Sequence, residues 1–366
     1  MKTISLKTKQ QNHPIHIGEN VLSILPELLS SAKAGQKIAI VSNAHIWTLY
    51  GETLRATLAE TTYTLHPILI PEGESHKTLA TVQIILDTLI EKKFERKDVL
   101  LAFGGGVVGD IAGFAASIYL RGIPFVQIPT TLLAQVDAAI GGKTGVNHAA
   151  GKNLIGAFYQ PIGTLVDLSF LDTLSQKDVL CGLAEVVKYG IIGNTGLFKY
   201  LETHTDKIAT LNIKDHHRLW EYIIRWSCAD KVAIVSADER EAGLRETLNF
   251  GHTIGHGIES ASQYTRYSHG EAVALGMKAA IWLAETGRVL DKKSAKRMLS
   301  LLKKLGFKLT LDASVPPAAI LDAMGSDKKI RNGQLRFILP TALGSVVAVD
   351  DITLDDVRLA VDALYA

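Results

Sequence analysis

Three histidines and a glutamate in the second half of the chain are residue types that bind transition metals. His252 and His256 are four residues apart, so on a helix their side chains share one face. His269 follows in the sequence Ser-His-Gly-Glu, and Glu185 precedes all three histidines. Two histidines and one carboxylate suit a catalytic zinc site with an open position for substrate. Spacing alone makes His252 and His256 the natural ligand pair, although such pairs also occur in helices that bind no metal.

A second stretch whose residues could bind a ligand is the glycine-rich sequence Gly104-Gly-Gly-Val-Val-Gly-Asp110. It follows Val99–Phe103, an apolar run typical of a buried parallel strand, and precedes the Ala-rich segment Ile111–Leu120, which is predicted to be a helix. Such a turn directs backbone N–H groups and the positive end of the helix dipole toward an anion, such as a nucleotide phosphate. A tight structural turn would use the same glycines, and no acidic residue follows the next strand, where a dinucleotide fingerprint would place it. Both interpretations are open at this point.

The elements around this turn predict a mostly parallel α/β sheet. Apolar runs at Lys37–Ser42, Tyr63–Ile70 and Pro124–Ile128 have the composition of strands and alternate with helical segments. Thr3–Lys9 and Pro14–Gly18 are predicted to form a hairpin before them. Because ligands of such sheets lie beyond the carboxyl ends of the strands, we expect the polar residues that follow these strands to line one crevice.

The segment from Thr130 to Pro161 has neither helical nor strand periodicity and is rich in Gly, Lys and Asn. A solvated linker is one interpretation. The other is an anion site, because Lys143 and Lys152 lie near glycine turns and can neutralise a phosphate or a carboxylate.

The second half of the chain is predicted to be mainly helical. We place a domain boundary near Leu174, which gives domains of residues 1–174 and 175–366. A small hairpin is predicted at Leu335–Leu339 and Ser345–Val349. The helices that the spacing of apolar residues predicts are 175–190, 215–235, 246–261, 271–290, 294–305 and 353–364.

Composition and charge exclude several classes of protein. The 366 residues carry a net charge of +2, which argues against the electrostatic footprint of a nucleic-acid-binding protein. Two cysteines are too few for a secreted disulfide framework. No apolar run approaches the roughly 18 residues of a membrane span. We therefore expect a soluble cytoplasmic protein that binds neither nucleic acid nor membrane.

A series of motifs in a fixed order covers nearly the whole chain. They are Gly104-Gly-Gly-Val-Val-Gly-Asp110, Pro129-Thr-Thr-Leu-Leu-Ala134, Asp137, Gly141-Gly-Lys-Thr-Gly145, Gly151-Lys-Asn-Leu-Ile-Gly156, Ala184-Glu-Val-Val-Lys-Tyr-Gly190, Asp238-Glu-Arg-Glu241, Leu248-Asn-Phe-Gly-His-Thr-Ile-Gly-His256 and His269-Gly-Glu271. In these motifs the chain resembles the 3-dehydroquinate synthase family of sugar phosphate cyclases.

The resemblance implies a definite fold and cofactor set. It implies an α/β N-terminal domain with a mostly parallel, Rossmann-like sheet that binds NAD. A mainly α-helical C-terminal domain follows, which binds substrate and one Zn²⁺ or Co²⁺ ion. The implied metal ligands are Glu185, His252 and His269, so that His256 is left for the substrate. The resemblance also implies a homodimer.

The resemblance implies further site residues of three kinds. The implied catalytic residues are Lys143, Lys188, Lys231, Arg245, Asn249 and His256. The implied substrate contacts are Arg121, Asp137, Lys152, Asn153 and Lys328, or else Lys329. The implied NAD contacts are Glu74, Lys77, Gly105, Gly106, Asp110, Thr130 and Thr131, together with Lys143 and Lys152.

The implied activity is that of a carbon–oxygen lyase of the shikimate pathway, which leads to chorismate and the aromatic amino acids. Such an enzyme converts 3-deoxy-D-arabino-heptulosonate 7-phosphate to 3-dehydroquinate and phosphate. The steps are transient oxidation by NAD, phosphate elimination, reduction, ring opening and an intramolecular aldol closure. The alternatives are another sugar phosphate cyclase, a metal-dependent polyol dehydrogenase of similar architecture, or an NAD-binding protein without catalytic activity. A dehydrogenase would release NADH stoichiometrically, whereas a synthase would not.

Overall fold

The structure is a computed structural model that describes residues 1–8, 12–325, 330–331 and 334–365. It forms two compact units, one of Met1–Leu174 with Ile213–Ser236 and the other of Ser175–Asn212 with Ala237–Ala366. The chain thus leaves the first unit at residue 174 and returns to it for one helical segment. The assignment of NAD to residues 1–174 and of metal and substrate to residues 175–366 stays a prediction. Within the described ranges, no helix has the length and apolar composition needed to cross a membrane.

A seven-stranded sheet is the centre of the first unit, and it confirms the predicted parallel α/β fold. The strands of this unit are β1 Lys2–Lys7, β2 Asn12–Gly18, β3 Lys37–Ser42, β4 Thr64–Leu69, β5 Val99–Gly104, β6 Phe125–Pro129, β7 Lys143–His148, β8 Gly151–Phe158 and β9 Gly163–Asp167. Seven of these strands form the sheet, in the order β1-β2-β9-β6-β5-β3-β4, and β7 and β8 form a separate pair. Only β1 is antiparallel to its neighbour, and all the other pairs are parallel.

Helices cover both faces of this sheet, which is why the central strand β5 is apolar on both sides. Leu100 and Ala102 pack in the core cluster that includes residues of the third and fourth helices. Leu101 and Phe103 pack in the opposite cluster, with residues of the first two helices. The four helices are α1 Leu25–Ser31, α2 Ala44–Leu58, α3 Leu79–Glu91 and α4 Gly106–Ile118.

The segment from 130 to 161 is not the solvated linker that one interpretation of its composition predicted. It contains a π-helical turn at Ala134–Ala138 and the antiparallel pair β7–β8, and β9 follows it. The pair lacks the usual strand alternation because Gly145 and Gly156 face each other. A Cβ atom on either glycine would clash with the backbone of the opposite strand. The glycines therefore permit a close hairpin while removing the apolar pattern by which strands are recognised.

The second unit confirms the predicted mainly helical fold. Its helices bury apolar faces against each other, and the small hairpin predicted near residue 340 is present as β12–β13. The remaining helices of the chain are α5 Gln176–Ile192, α6 Thr195–Thr203, α7 Thr205–Ile208, α8 His217–Ala237, α9 His252–Ala261, α10 His269–Thr286, α11 Lys292–Lys304, α12 Pro317–Gly325 and α13 Leu354–Asp362. The remaining strands are β10 Ile330–Arg331, β11 Gln334–Leu335, β12 Phe337–Ala342 and β13 Ser345–Val349.

The starts of α9 and α10 differ from the prediction, and each of these helices begins at a histidine of the site. The predicted helix 246–261 is broken, because Leu244–Asn249 is a 3₁₀ turn and Gly251 has a φ of 78°. Since that left-handed conformation ends the turn, α9 begins at His252. Helix α10 begins at His269, two residues before its predicted start, with Ser268 and Glu271 forming a capping box.

His13 on β2 makes the stability of the first unit dependent on pH. It is 1% exposed, and neither ring nitrogen has a hydrogen-bond partner among the described residues. Burial lowers its pKa from 6.5 to about 4. The unfolded chain therefore binds more protons than the folded chain between these two values, so that stability falls as the pH drops through this window.

We expect His13→Leu to remove this dependence. From pH 7 to pH 5 the wild type should lose about 2 kcal/mol of unfolding free energy relative to the variant. Urea unfolding of both proteins at several pH values measures the difference. Parallel pH profiles would show that His13 is not buried in the neutral form.

Candidate active site

The glycine turn at the carboxyl end of β5 has the properties of a phosphate site. Helix α4 begins at Gly106, five residues before its predicted start, and no side chain caps its first turn. A Cβ atom on Gly105 would lie 3.1 Å from Thr131 Cγ2, so a larger residue would crowd the turn. Thr130 is 1% exposed, and its hydroxyl has no hydrogen-bond partner in the described part of the chain. The turn thus offers backbone N–H groups and a buried hydroxyl to a phosphate-bearing group.

Lys77 joins the loop after β4 to Asp110 on α4. Its ammonium donates to Asp110 Oδ2 at 2.5 Å and to Asn153 Oδ1 at 2.6 Å. Burial lowers the pKa of Lys77, but the charges of Asp110 and Glu74 outweigh this effect and raise it. Lys77 is therefore a buried cation. It hydrogen-bonds Asp110, a predicted NAD contact, and Asn153, a predicted substrate contact, and its charge interacts with that of Glu74, another predicted NAD contact.

Asn147 on β7 is a further residue that connects the loop after β4 to β8, and it was not among the predicted site residues. Its side-chain amide donates to Glu74 Oε1 at 2.8 Å, and its Oδ1 accepts the Asn153 N–H at 2.9 Å. Lys152 Nζ lies 3.8 Å from the same Glu74 oxygen. No spacing in the sequence points to Asn147, because its partners come together only when β7 and β8 pair.

The other predicted residues of the first unit lie at three places. Lys231 on α8 donates to the Asp137 carbonyl at 2.6 Å and pairs with its carboxylate at 2.8 Å. Lys143 is exposed at the start of β7. Arg121 lies beyond the carboxyl end of α4, whose 13 residues separate it from Gly105 and Gly106 by about 20 Å. The structure therefore does not bring Arg121 to the glycine turn of its own chain.

Close packing of three helices builds the candidate metal centre in the second unit. A Cβ atom on Gly270 would clash with the Cys181 backbone, so glycine lets α10 start against α5. A Cβ atom on Gly276 would clash with the Gly251 carbonyl, so glycine also lets α10 approach the start of α9. These contacts bring the first residues of α9 and α10, His252 and His269, to the middle of α5.

The carboxylate of Glu185, which is 1% exposed on α5, lies between these two histidines. Its Oε1 is 3.4 Å from His252 Nε2 and 3.3 Å from His269 Nε2. Two ligand atoms that are each about 2.1 Å from a tetrahedral ion are themselves roughly 3.4 Å apart. One atom from each of the three residues lies within 4.8 Å of the others, so the set fits a divalent ion with a further position open.

The charges in this cluster favour a cation. Burial raises the pKa of Glu185, but Lys188 and His252 outweigh it and hold the pKa well below its usual range. Burial also lowers the pKa of His252, which favours the neutral ring that a metal ion requires. For His269, burial is outweighed by hydrogen bonds with Glu185 and Glu259, which raise its pKa to about 10. The carboxylates of Glu185 and Glu259, which favour a proton on His269, also attract a metal ion.

His256 is not part of this triad, although its spacing from His252 first suggested it. Its Nε2 lies 3.9 Å from Glu259 Oε2, on the face of α9 that continues from His252. Glu259 is 3% exposed and was not among the predicted residues. The pattern His252-x₃-His256-x₂-Glu259 could have revealed it, because these positions share one helix face.

The remaining predicted residues of this unit lie on two elements. Lys188 is 2% exposed and forms an ion pair with Glu185 one turn away on α5. Arg245 is also 2% exposed, and its guanidinium donates to the Glu239 carbonyl at 2.5 Å. Asn249 ends the same 3₁₀ turn and donates to Glu241 Oε1 at 3.0 Å. Lys328 and Lys329 lie outside the described residues.

Comparisons with known proteins show which family the chain resembles. The chain is 43% identical to the 3-dehydroquinate synthase of Geotalea uraniireducens over 356 residues, which are 96% of this chain and 97% of the relative. Its structure is similar to that of a 2-epi-5-epi-valiolone synthase from Streptomyces hygroscopicus subsp. jinggangensis with NAD⁺ and Zn²⁺ bound. The TM-score is 0.88, with 31% identity and 98% of each chain covered.

A second solved structure is a 2-deoxy-scyllo-inosose synthase complexed with carbaglucose-6-phosphate, NAD⁺ and Co²⁺. It has a TM-score of 0.88 at 25% identity and covers 99% of each chain. Residues 67–181 match the family model described as 3-dehydroquinate synthase N-terminal, and residues 182–330 match the 3-dehydroquinate synthase C-terminal model. The two family models and the relative that is 43% identical over 96% of the chain therefore show that the chain, with its glycine turn suited to phosphate and its Glu-His-His cluster suited to a divalent ion, belongs to the 3-dehydroquinate synthase family.

Proposed function

We propose that this chain converts 3-deoxy-D-arabino-heptulosonate 7-phosphate to 3-dehydroquinate and phosphate, and so acts as a carbon–oxygen lyase. The observation that carries the proposal is the 43% identity over 96% of the chain to a 3-dehydroquinate synthase. Identity to the sugar phosphate cyclases with other activities is lower, at 31% and 25%. The shared fold alone would not separate these activities.

The residues of the structure support NAD and one divalent metal as cofactors. NAD would bind at Gly105, Gly106, Thr130 and Thr131, with Lys77, Asp110 and Glu74 beside it. The metal would be held by Glu185, His252 and His269. When bound, the two groups supply reversible hydride transfer and Lewis-acid polarisation of substrate oxygen atoms.

The chain's own residues would bind and orient a substrate that has a carboxylate at one end and a phosphate at the other. Lysine and arginine suit both groups, and Lys143, Lys152 and Arg245 are the proposed contacts. Arg245 is suited to rigid recognition because the Glu239 carbonyl fixes its buried guanidinium. Asn153, held by Lys77 and Asn147, would position substrate hydroxyls.

Lys231 and Lys188 would act through ammonium groups that neighbouring side chains hold in place. Asp137 holds Lys231 by its carbonyl and its carboxylate. Lys188 keeps Glu185 ionised and places a positive charge beside the metal ligands. Asn249 and His256 complete the proposed catalytic set. These groups would orient one substrate conformer and stabilise charge that develops on its oxygen atoms.

We further propose a cytoplasmic homodimer. Arg121 supports the dimer, because it lies about 20 Å along α4 from the glycine turn of its own chain. If the substrate lies beside that turn, its proposed contact with Arg121 is made from a neighbouring copy. Sedimentation of the full chain tests the dimer, and the activity of the Arg121→Met variant tests the substrate contact.

The experiment for the proposed activity compares two substrates that differ at one group. One is the heptulosonate phosphate, and the other is the same ketose phosphate with a hydroxymethyl group in place of the carboxylate. We expect phosphate release to be at least about 100-fold faster from the carboxylate substrate, because an arginine site left without its anion loses binding. Equal rates would assign the chain to another sugar phosphate cyclase activity.

A further inference from the structure

The buried carboxylate of Glu259 has no role in the proposed activity, yet it contacts His269 in the candidate metal centre. Its Oε2 lies 3.3 Å from His269 Nδ1. The other nitrogen of the same ring, Nε2, lies 3.3 Å from Glu185 Oε1. The imidazole of His269 therefore spans two carboxylates, one on each nitrogen.

His252 shows the same arrangement with a different acceptor. Its Nε2 is directed at Glu185 Oε1, and its Nδ1 lies 3.0 Å from the Phe250 carbonyl oxygen. Each histidine thus presents Nε2 to the centre of the cluster and has an oxygen acceptor at Nδ1. An imidazole can give its Nε2 lone pair to a metal only if the ring proton is on Nδ1, and an acceptor there fixes that tautomer and the ring plane.

We propose that Glu259 is a positioning residue that orients His269 for metal binding by accepting the Nδ1–H hydrogen bond. This inference rests on the metal site of the proposed function. Glu259 is a stronger acceptor than the Phe250 carbonyl, because it carries a charge and is 3% exposed. It also adds a second carboxylate near the ion, which raises the affinity of the site for a divalent cation.

The position of His269 explains why its ring needs Glu259 as a hydrogen-bond acceptor. His269 is the first residue of α10, and at 28% its side chain is more exposed than that of His252, at 12%. Helix α9 carries both His252 and Glu259, two turns apart on one face. The hydrogen bond therefore ties the ligand on α10 to the helix that supplies the other histidine.

The test is the zinc affinity of purified full-length protein, measured by competition with a chromophoric chelator. We expect Glu259→Ala to weaken zinc binding by about 10- to 100-fold. Glu259→Gln keeps an oxygen acceptor without the charge, so we expect a smaller loss of about 3- to 10-fold. Ser262→Ala is the matched control, because among the described residues its buried hydroxyl bonds the backbone carbonyls of Ile258 and Glu259. Its zinc affinity should equal that of the wild type.

Two further readouts separate positioning from a general structural role. The visible spectrum of the Co²⁺-substituted protein should change in Glu259→Ala and return toward the wild type in Glu259→Gln. A purely structural role would lower the thermal stability of the metal-free protein and leave the chelator competition unchanged. If Glu259→Ala does not fold, Glu259→Leu, which has a similar size and no hydrogen-bond acceptor, takes its place, and wild-type zinc affinity in the variant that folds would overturn the proposal. A wild type that binds no zinc would overturn the metal site itself.

Discussion

Glu185→Gln is expected to abolish tight metal binding and to slow phosphate release by about 1,000-fold, the equivalent of several kcal/mol of lost Lewis-acid stabilisation. Glu185 Oε1 is the atom that faces both His252 Nε2 and His269 Nε2. The amide has nearly the same shape but no charge, so it binds a divalent cation poorly. Metal content after dialysis and the rate of phosphate release measure the two effects.

The same substitution should also destabilise the second unit. Lys188 is 2% exposed and would lose its ion-pair partner, which commonly costs about 3 kcal/mol or more for a buried pair. Glu202→Gln is the matched control, because this carboxylate pairs with Arg297 and not with the histidines. It should keep both metal and activity. A Glu185→Gln protein with a full complement of zinc and wild-type rate would refute the assigned ligand set.

Lys77→Met is expected to weaken NAD binding and to lower the free energy of unfolding by about 3 kcal/mol. The substitution leaves Asp110 without its ion-pair partner and releases Asn153 from a 2.6 Å hydrogen bond. Because the lost hydrogen bonds involve a charged group, the dissociation constant for NAD should rise by about 10- to 100-fold. Fluorescence titration with NADH and urea unfolding measure these changes.

Lys92→Met provides the control for Lys77→Met. Lys92 is an exposed lysine whose partner, Glu91, is also exposed, and such pairs contribute little to stability. This variant should bind NAD and unfold as the wild type does. If Lys77→Met and Lys92→Met behaved alike, the buried Lys77 network would have no part in cofactor binding.

Hydrophobic patterning was enough to predict the sheet and most helices. Strands β3, β5 and β6 are short apolar runs because helices cover both of their faces, and this pattern can be recognised without tertiary information. The N-caps at Ser175 and Thr353 are also local features, since each hydroxyl accepts the backbone N–H of an aspartate three residues later, Asp178 or Asp356. These features depend on neighbours in the sequence.

The features that were missed depend on contacts between distant residues. The β7–β8 hairpin is hidden because Gly145 and Gly156 allow a backbone approach that no side-chain pattern records. The break before His252 depends on Gly251 packing against α10, where a Cβ atom would meet the Met277 side chain at 2.6 Å. Spacing alone favoured His256 over His269 as a ligand, because the helix face is local whereas the approach of α10 is not.

Phosphate release from the heptulosonate phosphate with NAD present in catalytic amounts tests the central claim most directly. The assay compares the native protein, the protein after a chelator has removed its metal, and the protein with zinc restored. We expect many phosphates per NAD without NADH accumulation, loss of release after chelation, and recovery with zinc. No phosphate release, with NADH formed one-for-one from a polyol, would contradict the claim and place the chain among metal-dependent dehydrogenases.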